Sequence, residues 1–115
     1  MNKIYHLSTC DTCRKILTQL DTNGVELMNL REQPVSAEDL DFMKSKTGSY
    51  ESLFNKRAQK YKALAEDQKP LTDDHFRTLI LGEYTFLKRP AAIIGEKVIV
   101  GNDPKSIEEL KRCLS

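Results

Sequence analysis

The order of apolar and polar positions changes period several times along the chain. A short apolar run at residues 4–7 predicts a buried strand, and apolar residues then recur three or four positions apart over residues 13–20, as on one face of a helix. Gly24 is suited to the left-handed position that follows a helix and predicts its end. Apolar positions at 25–30 begin a second strand. The first thirty residues therefore predict a βαβ unit with parallel strands and a right-handed crossover.

The middle of the chain, at about residues 34–87, has helical patterning and no convincing strand. Ser36 is a good N-cap, and the acidic residues after it favour a helix start. A second short helix is expected at residues 50–54. The stretch 55–70 is rich in lysine and only weakly periodic, and Thr72 is the next N-cap. We expect this segment to be a helical insertion between two sheet-forming parts.

The end of the chain predicts a β-hairpin followed by a helix. Residues 90–94 and 98–100 are apolar runs of strand length, separated by a Gly-Glu-Lys turn. Asp103 and Pro104 then have the side chains preferred at the N-cap and first position of a helix. Apolar residues recur at helical spacing from Ile107 to Leu114.

The complete order is βαβ, a helical insertion, and ββα. With 115 residues, the chain is long enough to bury a core without disulfides. We expect one domain over residues 1–115, with the insertion at about 34–87. The predicted fold class is α/β, with a mixed four-stranded sheet flanked by helices in the thioredoxin-like arrangement.

Composition excludes several classes of protein. Eighteen basic and seventeen acidic residues leave a net charge of +1, with no basic run longer than two, so direct binding of nucleic acid is not expected. No run of 18 apolar residues is present, and the N-terminus lacks the apolar region of a signal peptide, so we expect no membrane association and a cytoplasmic location. Three cysteines cannot form a closed disulfide framework.

The candidate chemistry lies in Cys10-Asp11-Thr12-Cys13, between the first strand and the first helix. A thiol at a helix N-terminus is favoured as a thiolate by unpaired backbone N–H groups and the helix dipole. Arg14 adds a positive charge about one helical turn away. The same N-terminus can bind an oxyanion. The position therefore suits both a nucleophile and an anionic substrate.

Three interpretations of this site remain open. Cys13 shares a helix face with Cys10, so it is either a resolving thiol or a small core residue. His6 either tunes the cysteine loop or is an ordinary histidine at a strand end. A metal site is the less favoured hypothesis, because Cys113 and His75, the further candidate ligands, have no motif around them.

The spacing His6-x-x-x-Cys10-x-x-x-Arg14 resembles the signature of the glutaredoxin-dependent class of arsenate reductases. The resemblance covers nearly the whole chain, including the central insertion and the Lys88-Arg89-Pro90 segment before the hairpin. The related Spx branch of redox-sensing transcription regulators shares this organisation. That branch carries C-x-x-C at the same place, as this chain does.

The resemblance implies a thioredoxin-like fold with Pro90 as the cis-proline beside the active cysteine. It further implies that Cys10 is the nucleophile and that arginines hold the oxyanion. Arg89 matches the arginine of the family's Arg-Pro pair, and Arg57 resembles the arginine at the end of the insertion's second helix. Guanidinium groups suit this role because their forked donors match a multiply charged oxyanion.

Two departures from the arsenate reductase pattern leave alternatives open. Residues 98–102 contain no arginine where that class has one, and Cys13 is a second cysteine that the class usually lacks. One hypothesis is a reductase of a small oxyanion, without a bound cofactor, re-reduced by glutathione with glutaredoxin, by thioredoxin, or through Cys13. The other is an Spx-like regulator that binds RNA polymerase and is switched by a Cys10–Cys13 disulfide. A general disulfide reductase of the thioredoxin kind is a third, weaker possibility.

Overall fold

The computed structural model describes residues 2–115. Two compact units make up the chain: one contains the residues up to Pro34 together with Arg89–Ser115, and the other is Val35–Lys88. The second unit occupies the segment that the sequence marks as a helical insertion. That the whole chain folds as one domain stays a prediction.

Four strands form one mixed sheet in the first unit. They are β1 (Asn2–His6), β2 (Glu26–Asn29), β3 (Ala91–Ile94) and β4 (Lys97–Val100). Their order is β2-β1-β3-β4. The β1 and β2 strands are parallel, whereas β1–β3 and β3–β4 are antiparallel. The predicted α/β class, with a βαβ unit and a hairpin in one mixed sheet, is confirmed.

Five α-helices occur in the described residues. They are α1 (Asp11–Thr18), α2 (Ala37–Thr47), α3 (Gln59–Lys62), α4 (Asp73–Gly82) and α5 (Pro104–Leu114). Of these, α1 and α5 belong to the first unit. The last helix begins as predicted, because the Asp103 side chain accepts a hydrogen bond from the Ser106 N–H and Pro104 occupies the first turn.

One buried cluster of the first unit lies on one face of the sheet. Ile4 on β1 is opposite Ala92 on β3, and Ala92 is opposite Ile99 on β4. These three side chains and Leu110 of α5 are buried together. Partly buried side chains from both helices and the adjoining segments pack against them: Leu17, Leu20, Val25, Ile94, Cys113 and Leu114. This packing fixes α1, and with it the cysteine loop, to the sheet.

The first helix is shorter than its apolar spacing predicts. It ends at Thr18, and the N–H groups of Gln19 and Leu20 donate to carbonyls three residues back, so the last turn tightens. Gly24 has a left-handed φ of +76°, but it lies in the turn before β2. The prediction that Gly24 ends this helix is wrong. Leu20 still packs on the core, so the apolar spacing continues beyond the helix itself.

The second unit contains α2, α3 and α4. Both predicted N-caps are confirmed: the Ser36 side chain accepts from the Asp39 N–H at 3.1 Å, and the Thr72 side chain accepts from the His75 N–H at 3.2 Å. The short helix expected at residues 50–54 is a single 3₁₀ turn, Glu51–Leu53. A run of three residues closes only one such turn, which explains the difference.

An aromatic cluster holds the second unit together. The Phe54 ring lies 5.3 Å from Tyr61, 5.0 Å from Phe76 and 4.9 Å from Phe86, measured between ring centroids. Tyr61 thereby anchors the lysine-rich stretch. Within Val35–Lys88, an isolated bridge between Phe54 and Leu87 is the strand-like pairing that the structure records. Over residues 2–115, no helix combines the length and the apolar character needed to span a bilayer.

Candidate active site

The cysteine loop joins the carboxyl end of β1 to the start of α1. The Cys10 N–H donates to the Leu7 carbonyl at 3.0 Å, which closes the turn. Cys10 is the N-cap of α1: its backbone is extended, and its carbonyl accepts the first helical bond, from the Arg14 N–H at 3.1 Å. The Cys10 thiol therefore lies at the helix N-terminus, as the sequence predicts.

Cys10 is a half-buried thiol whose pKa lies below its usual value. Partial burial acts in the opposite direction and would raise the pKa. Hydrogen bonds from the backbone N–H and the thiol of Cys13, the positive charge of Arg89 and the Thr12 N–H together outweigh burial. The thiolate form of Cys10 is thus stabilised mainly by the first turn of α1.

The pKa of Cys13 is shifted in the opposite direction. Its side chain is 1% exposed, and this burial raises the pKa of Cys13 to about 11, with a further contribution from the charge of Cys10. The N–H of Leu7 and the charge of Arg89 lower it by less. The Cys13 thiol keeps its proton at neutral pH and donates a hydrogen bond to the Cys10 sulfur. The pKa values of two cysteines three positions apart are therefore shifted in opposite directions.

Arg14 is exposed and forms an ion pair with Asp11 across one turn of α1. The carboxylate of Asp11 balances much of the charge that the sequence analysis assigned to Arg14. Arg89, which is half-buried, is the arginine whose charge lowers the pKa of both cysteines. The structure thus brings Arg89 to the thiols from a position 79 residues beyond Cys10 in the sequence.

The remaining predicted residues occupy three different places. His6 ends β1 and is half-buried, and burial lowers its pKa, so its imidazole is neutral at neutral pH. The Arg89–Pro90 peptide bond is cis, as the resemblance implies, and the Pro90 carbonyl accepts from the Gly101 N–H at 3.0 Å. Arg57 lies in the second unit with an exposed side chain, and its role in binding an oxyanion stays a prediction.

The other candidate ligands belong to other elements of the chain. Cys113 packs against the core of the first unit, and His75 lies in the first turn of α4. All three cysteines are free thiols. Among residues 2–115, no three side chains of His, Cys, Asp or Glu are grouped so that they could hold a metal ion.

One residue of the loop's surroundings was missed by the sequence analysis. Asn29, the last residue of β2, is paired in register with His6, and its side chain makes two hydrogen bonds to Ser8. Its position was available from the sequence, because the carboxyl ends of two parallel strands lie at the same edge of a sheet. That the Asn29 side chain bonds to Ser8 could not be predicted from the sequence, since this contact depends on how the cysteine loop folds.

The fold and the two unlike thiols define a protein of the thioredoxin-like class. The model of the ArsC family matches residues 5–110. The chain therefore belongs to the ArsC family. It is 33% identical over 110 residues to the uncharacterized protein YusI of Bacillus subtilis, covering 91% of this chain and 93% of YusI. It is 28% identical to an uncharacterized protein of Haemophilus influenzae, covering 94% and 96% of the two chains.

Solved structures have the same fold. The YFFB protein superposes with a TM-score of 0.82 at 23% identity, over 96% of this chain and 99% of that one. An arsenate reductase from Vibrio cholerae superposes at 0.77 and 21% identity, over 95% and 96%. An arsenate reductase (ArsC) related protein from Brucella melitensis superposes at 0.70 and 26%, over 94% and 92%. These likenesses establish the thioredoxin-like fold.

Proposed function

We propose that this protein is a thiol-dependent reductase that uses Cys10 as the nucleophile on a small oxyanion such as arsenate. The observation that carries the proposal is the difference between two neighbouring thiols at one helix N-terminus. The pKa of Cys10 is lowered, which favours the attacking thiolate, whereas the pKa of Cys13 is raised to about 11, which keeps a proton beside it. The arsenate reductase of Vibrio cholerae has the same fold, which agrees with this choice of substrate class.

The surroundings of Cys10 favour an anionic substrate. The N-terminus of α1 offers N–H groups and the positive end of the helix dipole, and Arg89 contributes a forked cationic donor. The Asp11–Arg14 ion pair is exposed, so its stability is low and an incoming anion can compete with Asp11 for Arg14. Arg57 is the further arginine that the family resemblance would assign to the oxyanion.

The first chemical step is a condensation. The Cys10 sulfur attacks arsenic, an S–As bond forms, and one As–O bond breaks with the oxygen leaving as water after protonation. Arsenic remains pentavalent in this adduct. The protonated Cys13 thiol, which is hydrogen-bonded to Cys10, is the nearest source of a proton within the loop.

The second step transfers the electrons. A second thiol attacks the Cys10 sulfur, an S–S bond forms and the S–As bond breaks, and its electron pair remains on arsenic to give trivalent arsenite. The second thiol is that of Cys13 or of glutathione. A glutaredoxin or thioredoxin then reduces the disulfide with two electrons. This cycle needs no bound cofactor, but it requires a reducing compartment such as the cytoplasm.

The test is arsenate-dependent consumption of NADPH by the purified protein. It is coupled in separate reactions to glutathione, glutaredoxin and glutathione reductase, and to thioredoxin and thioredoxin reductase. We expect turnover that is abolished in Cys10→Ser and retained in Cys113→Ser, the matched control. Loss in Cys13→Ser with the thioredoxin donor would identify Cys13 as the resolving thiol. Absence of arsenate-dependent turnover with both donors would overturn the proposed function.

A second candidate is favoured by the direct hydrogen bond between the two thiols. Oxidation of Cys10 and Cys13 to a disulfide by a two-electron oxidant such as a peroxide, with loss of the thiol protons, would remove both the thiolate charge and the buried thiol, as required of an Spx-like redox-sensing regulator that binds RNA polymerase. Retention of purified RNA polymerase by only one redox state of the protein, together with no arsenate turnover, would favour this candidate over the reductase.

A further inference from the structure

The side chain of Asn29 ties the end of β2 to the cysteine loop. Its Oδ1 accepts a hydrogen bond from the Ser8 backbone N–H at 3.3 Å, and its Nδ2 donates one to Ser8 Oγ at 3.0 Å. Both bonds join positions 21 residues apart in the sequence. One amide group therefore holds the main chain and the side chain of the residue two positions before Cys10.

Asn29 is itself held firmly at the sheet edge. It lies opposite His6 in the parallel β1–β2 pair, and its carbonyl accepts from the N–H groups of Glu32 at 2.9 Å and Gln33 at 2.7 Å. Its Oδ1 also accepts from the Arg31 N–H at 3.4 Å. These bonds place the amide group on a rigid element, from which it can restrain a more exposed segment.

Ser8, by contrast, lies on an exposed turn. Residues 7–10 are closed by the bond from the Cys10 N–H to the Leu7 carbonyl, with Ser8 and Thr9 at the corner. The orientation of this turn determines where the Cys10 sulfur meets the N–H groups of Thr12 and Cys13. Holding Ser8 therefore restrains the direction from which the chain enters α1.

We propose that Asn29 is a positioning residue for Cys10: it holds Ser8 so that the Cys10 sulfur stays against the first turn of α1. The proposal deepens the proposed function, since it takes Cys10 to be the reacting thiol. It does not depend on which substrate that thiol attacks. A merely structural role for Asn29, as the residue that ends β2, would leave the ionisation of Cys10 unchanged.

The test measures the pH dependence of alkylation by iodoacetamide at each cysteine, resolved by peptide mass spectrometry. In Asn29→Ala we expect the Cys10 midpoint to rise by about 0.5–1 pH unit, because a loosened turn weakens the hydrogen bonds from the Thr12 and Cys13 N–H groups to the thiolate, which lowers its ionisation about three- to tenfold. At neutral pH, Cys10 is then alkylated more slowly, because a smaller fraction of it is thiolate. Ser8→Ala removes the Oγ bond alone and should give a smaller shift in the same direction.

Two controls separate positioning from loss of structure. Asn23→Ala makes the same change in the turn before β2 and should leave the Cys10 midpoint as in the wild type. Cys113 packs against the core of the same unit and reports its integrity. Its alkylation rate should be unchanged in Asn29→Ala. The groups that act on Cys10, namely Cys13, Arg89 and the Thr12 N–H, are the same in all variants, and so is His6 at the end of β1.

A Cys10 midpoint in Asn29→Ala equal to that of the wild type would overturn the proposal. So would faster alkylation of Cys113 together with the Cys10 shift, because that result indicates general loosening of the unit. If Asn29→Ala does not fold, the test uses Ser8→Ala instead. A Cys10 midpoint in Ser8→Ala equal to that of the wild type would then overturn the proposal. Alkylation requires no arsenate, so a positive result here stands even if the turnover assay fails.

Discussion

At the scale of single residues, the site depends on how differently two thiols are solvated. Cys10 is half-buried at the open end of a helix, whereas Cys13 points into the core at 1% exposure. Burial disfavours the charged form of both, but only Cys10 receives enough hydrogen bonds and positive charge to reverse the effect. The result is that one helical turn holds a thiol with a lowered pKa next to a thiol with a raised pKa.

Arg89→Ala should raise the pKa of Cys10, because it removes a positive charge that stabilises the thiolate. The fraction of thiolate at neutral pH falls, so alkylation of Cys10 slows. The measurement is thiolate absorbance and alkylation rate as functions of pH. Arg89→Lys keeps the positive charge, so the pKa of Cys10 should stay close to its wild-type value. Arg112→Ala, at the end of α5, is the matched control. An unchanged midpoint in Arg89→Ala would contradict this account.

At the scale of the elements, helix starts are determined by local side chains. Ser36, Thr72 and Asp103 each accept a hydrogen bond from the N–H three residues later, and each was identified from its residue type and spacing. The start of α1 is different. Its N-cap is Cys10, which has no side-chain oxygen to cap the helix, so the N–H groups of Thr12 and Cys13 are left to stabilise the Cys10 thiolate.

Ser36→Ala should lower the free energy of unfolding by about 1 kcal/mol, because the Asp39 N–H loses its acceptor at the start of α2. Urea denaturation followed by circular dichroism measures the change. Ser45→Ala in the exposed last turn of the same helix is the control and should change stability by less than about 0.5 kcal/mol. Equal stabilities of the two variants would show that this cap contributes nothing.

At the scale of the whole molecule, the sheet and two helices of the first unit support the cysteine loop. α1 and α5 both pack on the buried cluster of Ile4, Ala92, Ile99 and Leu110. The loop that contains Cys10 is therefore attached at one end to the central strand β1 and at the other to a helix fixed by the core. Functional residues on loops commonly depend on such a scaffold.

Leu110→Ala should destabilise the protein by about 2–5 kcal/mol, since Leu110 is 1% exposed and its truncation leaves a cavity against the sheet. Leu71→Ala removes the same atoms from a side chain that is 92% exposed and should change stability by less than about 0.5 kcal/mol. Urea denaturation of both variants compares them directly. A loss below about 1 kcal/mol in Leu110→Ala would contradict the assigned core.

Most of the fold was predictable because its signals are short-range. Apolar period, caps and turn residues lie within a few positions of the structure that they specify, so the strands, α2, α4, α5 and the hairpin were identified correctly. The exceptions are the end of α1, the turn at Glu51–Leu53 and α3, which lies in a stretch too weakly periodic to locate a helix. At the end of α1 and at the turn, apolar residues keep a helical spacing, but the backbone tightens to hydrogen bonds three residues apart.

By itself, the sequence determined that a cysteine would lie at a helix N-terminus after a buried strand, because strand, turn and helix signals adjoin one another there. Only the tertiary structure decided how that cysteine ionises. The charge of Arg89 and the amide of Asn29 reach the loop from distant positions in the sequence. Burial and charge at a point in space depend on which remote segments pack there, and no local pattern encodes that.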